Sequence, residues 1–343
     1  MTNILLTGGA GYIGSHTAKR LALAGYQPVV LDNLSMGRRS AVKWGPFVEG
    51  DIRNYDLVGS VIANFQIAAV IHFAASASVA ESMAVPQDYF DNNVAGSLTL
   101  LKAILASGVR NVVFSSSCAT YGHQDGHLIS EDHPQHPMSP YGESKLFIER
   151  ALRWYDRQRG LRTFCFRYFN AAGADPDGEI GESHDPETHL IPLAIYAALD
   201  PRTRLNVYGA DYPTPDGTAI RDYVHVADLA NAHLLALEHL LKGGQTEFLN
   251  LGTGRGYSVN EVIAMVRKVS GVPIPVHYHD RRPGDPAALV ADASRAAALL
   301  SWRPALSDLE TIVETAWKWH ASQEFRSPWN LSASSAVQQP PAF

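Results

Sequence analysis

Cysteine is scarce in this chain: two among 343 residues, Cys118 and Cys165. Two cysteines cannot build a disulfide scaffold, and they suit a reducing compartment. Charge is modest as well, at 18% of residues with a net of −6. No long basic cluster occurs. Arg281–Arg282 is a local pair suited to one small anion, so a nucleic-acid surface is excluded. No run approaches the ~18 uninterrupted apolar residues of a membrane span. The opening residues lead straight into a short apolar run, without the charged region and cleavage site of a secretory signal. The expectation is a cytoplasmic protein with neither a nucleic-acid nor a membrane partner. What the chain does have is 46% hydrophobic residues, enough for one large or two coupled domains.

Its organising stretch is ILLTGGAGYIG, Ile4–Gly14. Four mostly apolar residues read as a buried strand, glycines follow at 8, 9, 11 and 14, and helical spacing begins at Ser15. Strand, glycine turn and helix in that order are the context of a dinucleotide site. Gly8 suits the tight turn, Gly11 a close approach to pyrophosphate, and Gly14 the packing of helix on strand. Phosphates would rest on the unpaired N–H groups at the helix start. Asp32 closes the next apolar run, Pro28–Leu31, where an acid can hydrogen-bond the ribose hydroxyls of NAD and repel the extra phosphate of NADP. NAD is the expected cofactor.

Short apolar runs at 3–7, 27–31, 46–49, 68–73, 110–115 and 162–168 alternate with helical spacing near 12–24, 54–65, 86–107 and 141–159. Such alternation predicts an α/β fold: a Rossmann-type, doubly wound parallel sheet with helices on both faces. Ligands in such sheets gather at the carboxyl ends of the strands. Beyond about residue 170 the rhythm changes. Segments 171–188 and 209–219 are rich in Gly, Pro, Asp and Thr; helices are expected near 189–199, 227–241, 258–269 and 307–320, with a strand near 204–207. The expected division is an NAD-binding domain at 1–170 and a smaller C-terminal α/β substrate lobe at 171–326, some elements interleaved. A disordered Ser/Ala/Gln/Pro tail at 327–343 follows.

Tyr141 and Lys145 are four residues apart at the start of a helix marked by Ser139–Pro140, and so share a face. A phenol is a poor base at pH 7, but an ammonium and a cationic nicotinamide nearby would favour the phenolate. Such a tyrosine can take a proton from a sugar hydroxyl while hydride leaves the carbon. Ser117, at the end of the fifth strand, is placed to hydrogen-bond the same oxygen.

TGGAGYIGSH, LDNLS, EGDIR, IHFAA, NNVAGS, FSSSCATYG, SPYGESK, RYFNAAGADP, RDYVHVADLA, LNLGTGRGYSV and RRPGD occur in this order. From residue 3 to about 320 the chain resembles the UDP-glucose 4-epimerases of the extended short-chain dehydrogenase/reductase family. The resemblance implies a tightly held, recycled NAD, oxidation of the sugar at C4, rotation of the 4-keto sugar, and return of hydride to its other face. It implies Ser117, Tyr141 and Lys145 as the proton-transfer set. Gly8, Gly11, Tyr12, Ile13 and Gly14 would meet the pyrophosphate, Asp32 and Asn33 the ribose, and Asp51 and Ile52 the adenine. Phe73, Ala74, Ala75, Asn92 and Tyr168 would line the inner cofactor site with Tyr141 and Lys145. On the UDP-sugar side it implies Ser117, Tyr141, Asn170, His189, Leu190, Tyr208, Arg221, Tyr223, Arg282, Asp285 and Leu289. Tyr208 would stack on uracil, and arginines suit a diphosphate because their planar fork pairs with two oxygens. Without the resemblance, Arg221 beside Asp222 reads as a surface ion pair and Tyr208 as core. The family also implies a homodimer through the helices near 86–107 and 141–159.

Several positions depart from the family pattern. Ala80-Glu81-Ser82 stands where many relatives have Gly-Glu-Ser, Ser78 where a Lys or Tyr is common, and His189 where many have Asn. Leu289 occupies a position that limits room beside the sugar. UDP-glucose/UDP-galactose is the first expectation, with UDP-xylose/UDP-arabinose and N-acetylhexosamine substrates left open. A 4,6-dehydratase is disfavoured, since Cys118 and Ala119 fill the places of its acid pair. A silent NAD sensor is disfavoured by the retained Ser117, Tyr141 and Lys145. His184, Asp185, Glu187 and His189 crowd together, and His277 and His279 lie elsewhere. Their spacing matches no helical metal pattern, and no metal is expected.

Overall fold

The structure, a computed structural model, describes residues 1–123, 128–282 and 284–322; the tail expected at 327–343 lies outside them. Seven strands form one sheet in the spatial order Glu247–Leu251, Arg162–Tyr168, Asn111–Ser117, Ala69–His72, Asn3–Thr7, Gln27–Asp32 and Phe47–Glu49. Every neighbouring pair is parallel. Side chains alternate between its faces, as the two-residue repeat of a strand requires. Ile4, Leu6, Ile71, Val113 and Phe164 face one way, into a core shared with helices Tyr12–Leu23 and Val226–Leu241. Leu5, Val29, Val70, Val112 and Cys165 face the other, against Tyr55–Asn64, Ser97–Ala106 and Pro140–Arg159. Both faces are covered, which is why the strands read as continuous apolar runs.

Two of these elements come from the second half of the chain. Glu247–Leu251 is the seventh strand, an edge strand paired with Arg162–Tyr168, and Val226–Leu241 packs on Tyr12–Leu23. The remaining elements build a smaller unit around strand Ile220–His225. Asn170–Ala172 and Ala288–Leu289 run parallel to it, and Gly256–Ser258 antiparallel. A separate parallel pair, Leu205–Tyr208 and Val276–His279, lies nearby in sequence, and helices Leu190–Leu199, Val259–Ser270 and Leu309–Ala321 close a third core. The stretch expected as one helix at 86–107 is helical throughout but changes pitch. A wide π turn, Phe90–Gly96, interrupts Pro86–Tyr89 and Ser97–Ala106.

Helix Pro140–Arg159 begins where Ser139 accepts a hydrogen bond from the Gly142 N–H, with Pro140 at its first position, and ends at Gly160, whose φ is +66°. Glu149, on the same face as Tyr141 and Lys145, anchors it. Arg167 donates from Nε and Nη2 to the two Glu149 oxygens at 2.9 and 2.7 Å, and the Ser116 hydroxyl donates to Glu149 at 2.6 Å. The side chains are 0% (Glu149) and 2% (Arg167) exposed. Breaking one partner of such a pair strands a buried charge. Glu149→Ala should therefore lose about 3–5 kcal/mol of unfolding free energy. The Glu149→Leu/Arg167→Met double variant should lose much less. Urea denaturation of both compares them directly, and equal losses would show that packing, not charge, governs the position.

Candidate active site

The strands deliver their functional residues to one edge of the sheet. Thr7, Asp32, His72, Ser117 and Tyr168 are the last residues of five adjacent strands. After Thr7 the chain turns at Gly8, φ +73°, and a Cβ there would lie 2.5 Å from the Ala74 N. A Cβ on Gly14 would lie 2.4 Å from the Gly8 carbonyl oxygen. Gly11 is freer, its nearest neighbour at 3.3 Å. It precedes Tyr12–Leu23, whose N-terminus has neither a side-chain cap nor an acid in its first turn. Uncapped N–H groups on a 12-residue helix are ready for an anion. They border a cavity of about 360 Å³ lined by Ala10, Gly11, Tyr12, Ser15, Arg38 and His184, among others. Arg38 Nε is buried in this region without a hydrogen-bond partner. The donors present fit a pyrophosphate, and Arg38 is a further donor lining this cavity that the sequence reading did not single out.

Asp32 is buried and accepts from the N–H groups of Ala10 at 3.0 Å and Leu34 at 2.8 Å. Burial pushes its carboxyl up despite these bonds. Asn33 donates to Asp51, which Arg53 grips with both Nε and Nη2 at 2.9 and 2.7 Å. The Arg53 guanidinium holds Asp51 down at about 2. Ile52 is buried in the adjoining core, and Ile13 and Phe73 pack on the core of the opposite face. Ala74 and Ala75 are half-buried.

Asn92 lies on the π turn and donates to the Ser76 hydroxyl at 3.2 Å. Its neighbour Asn93, absent from the expected set, does more. The Asn93 amide is buried, accepts from the Ser76 N–H at 2.8 Å, and donates to the Ser76 carbonyl and the Ser144 hydroxyl, both at 3.0 Å. It thus joins the loop after the fourth strand to the helix carrying Tyr141 and Lys145. Ser78, the departure from the family pattern, caps helix Val79–Ala84 by accepting from the Glu81 N–H.

Tyr141 and Lys145 are both buried, with Lys145 Nζ 5.8 Å from the phenol ring centre. Lys145 donates to the Ser115 carbonyl at 2.8 Å. Ser117 accepts from the Ala119 N–H at 3.1 Å, leaving its own proton to donate. Tyr168 and Ser115 share a short hydroxyl–hydroxyl hydrogen bond. The electrostatics differ from the expectation of a depressed phenol. Burial pushes Tyr141 up to about 12, with Ser117 hydrogen bonding pulling the other way. Burial pushes Lys145 down to about 7. Desolvation thus moves both groups toward their neutral forms. Burial also pushes the Cys118 thiol up to about 12, which removes it as a nucleophile.

On the other side, strand register gathers residues distant in sequence. Asn170 lies opposite Tyr223, and Leu289 opposite Arg221. Asn170 donates to the Asp222 carbonyl at 2.9 Å. Arg221 pairs with Asp285, not with its neighbour Asp222, whose buried carboxylate instead accepts from Thr253, Gly254 and Ala291. Tyr208 is half-buried: His279 stacks on it at 5.2 Å, and the Arg282 guanidinium sits 4.1 Å from its ring centre. Tyr223 and Leu190 belong to the third core, and Leu289 packs beside Tyr121, Ile129 and Phe169. His189 turns toward Glu182 and Glu187, its Nδ1 at 2.9 and 2.8 Å from their oxygens.

The family model for the NAD dependent epimerase/dehydratase family matches residues 4–252. The chain belongs to that family. Within it, the UDP-glucose 4-epimerase of Rhizobium meliloti is 52% identical over 319 residues, 93% of this chain and 97% of that one. A crystal structure of UDP-glucose 4-epimerase from Brucella ovis in complex with NAD is 53% identical, with a TM-score of 0.91 over 92% of this chain and 98% of that one. A third member, from Stenotrophomonas maltophila with bound NAD and formylated UDP-arabinopyranose, is 39% identical, with a TM-score of 0.92 over 95% of this chain and all of the other (100%). The parallel sheet is the one this family shares.

The desolvation of Lys145 has a consequence for stability. Its ordinary value is 10.5, so between about 7 and 10.5 the folded protein binds fewer protons than the unfolded chain. Stability from this group therefore rises with pH across that window, and below it the cost of burying an ammonium is complete. In nucleotide-free protein, Lys145→Met should gain roughly 1–3 kcal/mol at pH 7. That gain should shrink toward pH 10. Urea unfolding at the two pH values measures it, and a pH-independent difference would contradict the desolvated lysine.

Proposed function

We propose that the chain is an NAD-dependent isomerase that interconverts UDP-glucose and UDP-galactose by transient oxidation at C4. The observation that carries this is the convergence of Ser117, Tyr141 and Lys145 on the sheet edge that also carries the uncapped glycine turn. About half-identical relatives named as UDP-glucose 4-epimerases, aligned over nearly the whole chain, support it.

Bound along this edge, NAD supplies the hydride acceptor and donor that make the reaction redox-neutral. Gly8, Gly11, Gly14 and the start of Tyr12–Leu23 would hold its pyrophosphate, and Asp32 its ribose. Tyr141 takes the proton from the C4 hydroxyl as that carbon is oxidised, and returns it when the ketone is reduced on its other face. Ser117 donates a hydrogen bond to the same oxygen, steadying charge as it develops there. Lys145, in its protonated form, lowers the cost of the Tyr141 phenolate. Asn170, Arg221, Arg282 and Asp285 together serve the diphosphate and uridine, the arginines suiting the phosphates, and Tyr208 offers a ring face to the base. We further assign a cytoplasmic homodimer, in which Phe90, Phe147 and Trp154, exposed on the helical stretches near 86–107 and 141–159, meet a second copy.

Proton NMR of the purified protein with UDP-galactose and no added nicotinamide tests the assignment. Interconversion is expected, faster than with UDP-N-acetylgalactosamine or UDP-arabinose. Tyr141→Phe should lose at least about 1,000-fold in turnover while retaining bound NAD. Unchanged turnover in that variant would refute the assigned base, and inactivity of the wild type toward all three sugars would refute the epimerase.

A further inference from the structure

The segment between the first sheet and helix Leu190–Leu199 carries a second cluster, apart from the catalytic set. Glu182, His184, Glu187 and His189 each offer one ligand atom, and these atoms all lie within 4.8 Å of one another. Glu182 Oε1 is 3.0 Å from His184 Nδ1 and 2.9 Å from His189 Nδ1. Glu187 reaches His189 Nδ1 at 2.8 Å through Oε1, and His184 Nδ1 at 3.9 Å through Oε2. A tetrahedral cation with bonds of about 2.0–2.1 Å spaces its ligands ~3.3 Å apart, and the observed separations bracket that value.

A second observation points the same way. The Glu187 side chain is 4% exposed, yet its Oε2 accepts no hydrogen bond. Buried carboxylate oxygens need a donor or a cation. The neighbouring acidic cluster shows the alternative solution: Asp175, Asp177 and Glu179 surround the Lys19 ammonium at 2.6–2.9 Å. The Glu182 cluster faces two imidazoles instead. Two carboxylates and two neutral imidazoles would balance a divalent cation without residual charge.

We propose that Glu182, His184, Glu187 and His189 bind one divalent transition-metal ion of zinc-like chemistry. Four protein ligands make a closed, structural site. Trp319 donates to the Glu182 carbonyl at 2.8 Å, and the Tyr12 ring stands edge-on to His184 at 6.3 Å. A metal here ties the 182–189 loop to the wall of the cavity at the glycine turn, which His184 helps to line. This reverses the expectation of no metal. Asp185, counted from the sequence, takes no part, and Glu182, two residues before His184, completes the set.

Chelator-treated full-length protein should bind zinc chloride at one equivalent per chain, in competition with a chromophoric chelator. Cobalt(II) should give the visible bands of a four-coordinate site. Glu187→Gln and His184→Gln should each weaken binding more than about tenfold. Circular dichroism checks their folding, and if either fails to fold, the wild-type cobalt spectrum decides. No stoichiometric zinc, six-coordinate cobalt bands, or equal binding by wild type and folded variants would overturn the site.

Discussion

The buried pair of Glu149 and Arg167 is the constraint on which the active edge depends. Tyr141, Lys145 and Glu149 follow at four-residue steps on one helical face, so fixing Glu149 fixes the rotation of the helix. Arg167 immediately precedes Tyr168, and Ser116, which also donates to Glu149, immediately precedes Ser117. One carboxylate therefore sets the relative position of three strand and helix segments that end in functional side chains. Arg167 extends the network through the Tyr121 hydroxyl at 2.8 Å and on to Asn250 at 2.7 Å, reaching the edge strand contributed by the second half. A buried ion pair adds little net stability relative to packed apolar groups. We read its role here as positional: it gives the helix one seating against the sheet.

The burial that organises this edge also suppresses the charges its chemistry uses. His72, the last residue of the fourth strand, hydrogen-bonds Thr7 and Ser97, both at 2.8 Å, and burial pushes it down to about 3, keeping it a neutral link. Tyr141 and Lys145 feel the same desolvation in opposite directions. A cation brought beside them would act on the two groups differently, favouring the Tyr141 phenolate and disfavouring the Lys145 ammonium.

What was legible in the sequence is local. The glycine turn, Asp32, the Ser117 strand end and the Tyr141–Lys145 pair lie within single strand–turn–helix units, so spacing alone exposes them. What was illegible depends on long-range pairing. Glu247–Leu251 follows helix Val226–Leu241 closely in sequence, but it joins the sheet through Arg162–Tyr168, far earlier in the chain. Asn93 escaped because a wide helical turn, not regular spacing, turns its amide onto Ser76 and Ser144. The direction of the Tyr141 shift escaped because it follows from depth of burial, which no local pattern reports.

The substrate side shows how pairing can assemble a site that sequence order scatters. Strand Ile220–His225 is the common partner: its register sets Asn170 against Tyr223 and Leu289 against Arg221, while Arg221 reaches Asp285. Asp222, buried between them, gathers the N–H groups of Thr253, Gly254 and Ala291 at 3.0–3.1 Å and so fixes the loops that flank these residues. A buried carboxylate satisfied by backbone donors is a rigid hub, since none of its partners can rotate away. The two sides are thus built alike. In each, a single buried acid, Glu149 or Asp222, holds donors from several segments in place, and the candidate site residues are its neighbours along the chain.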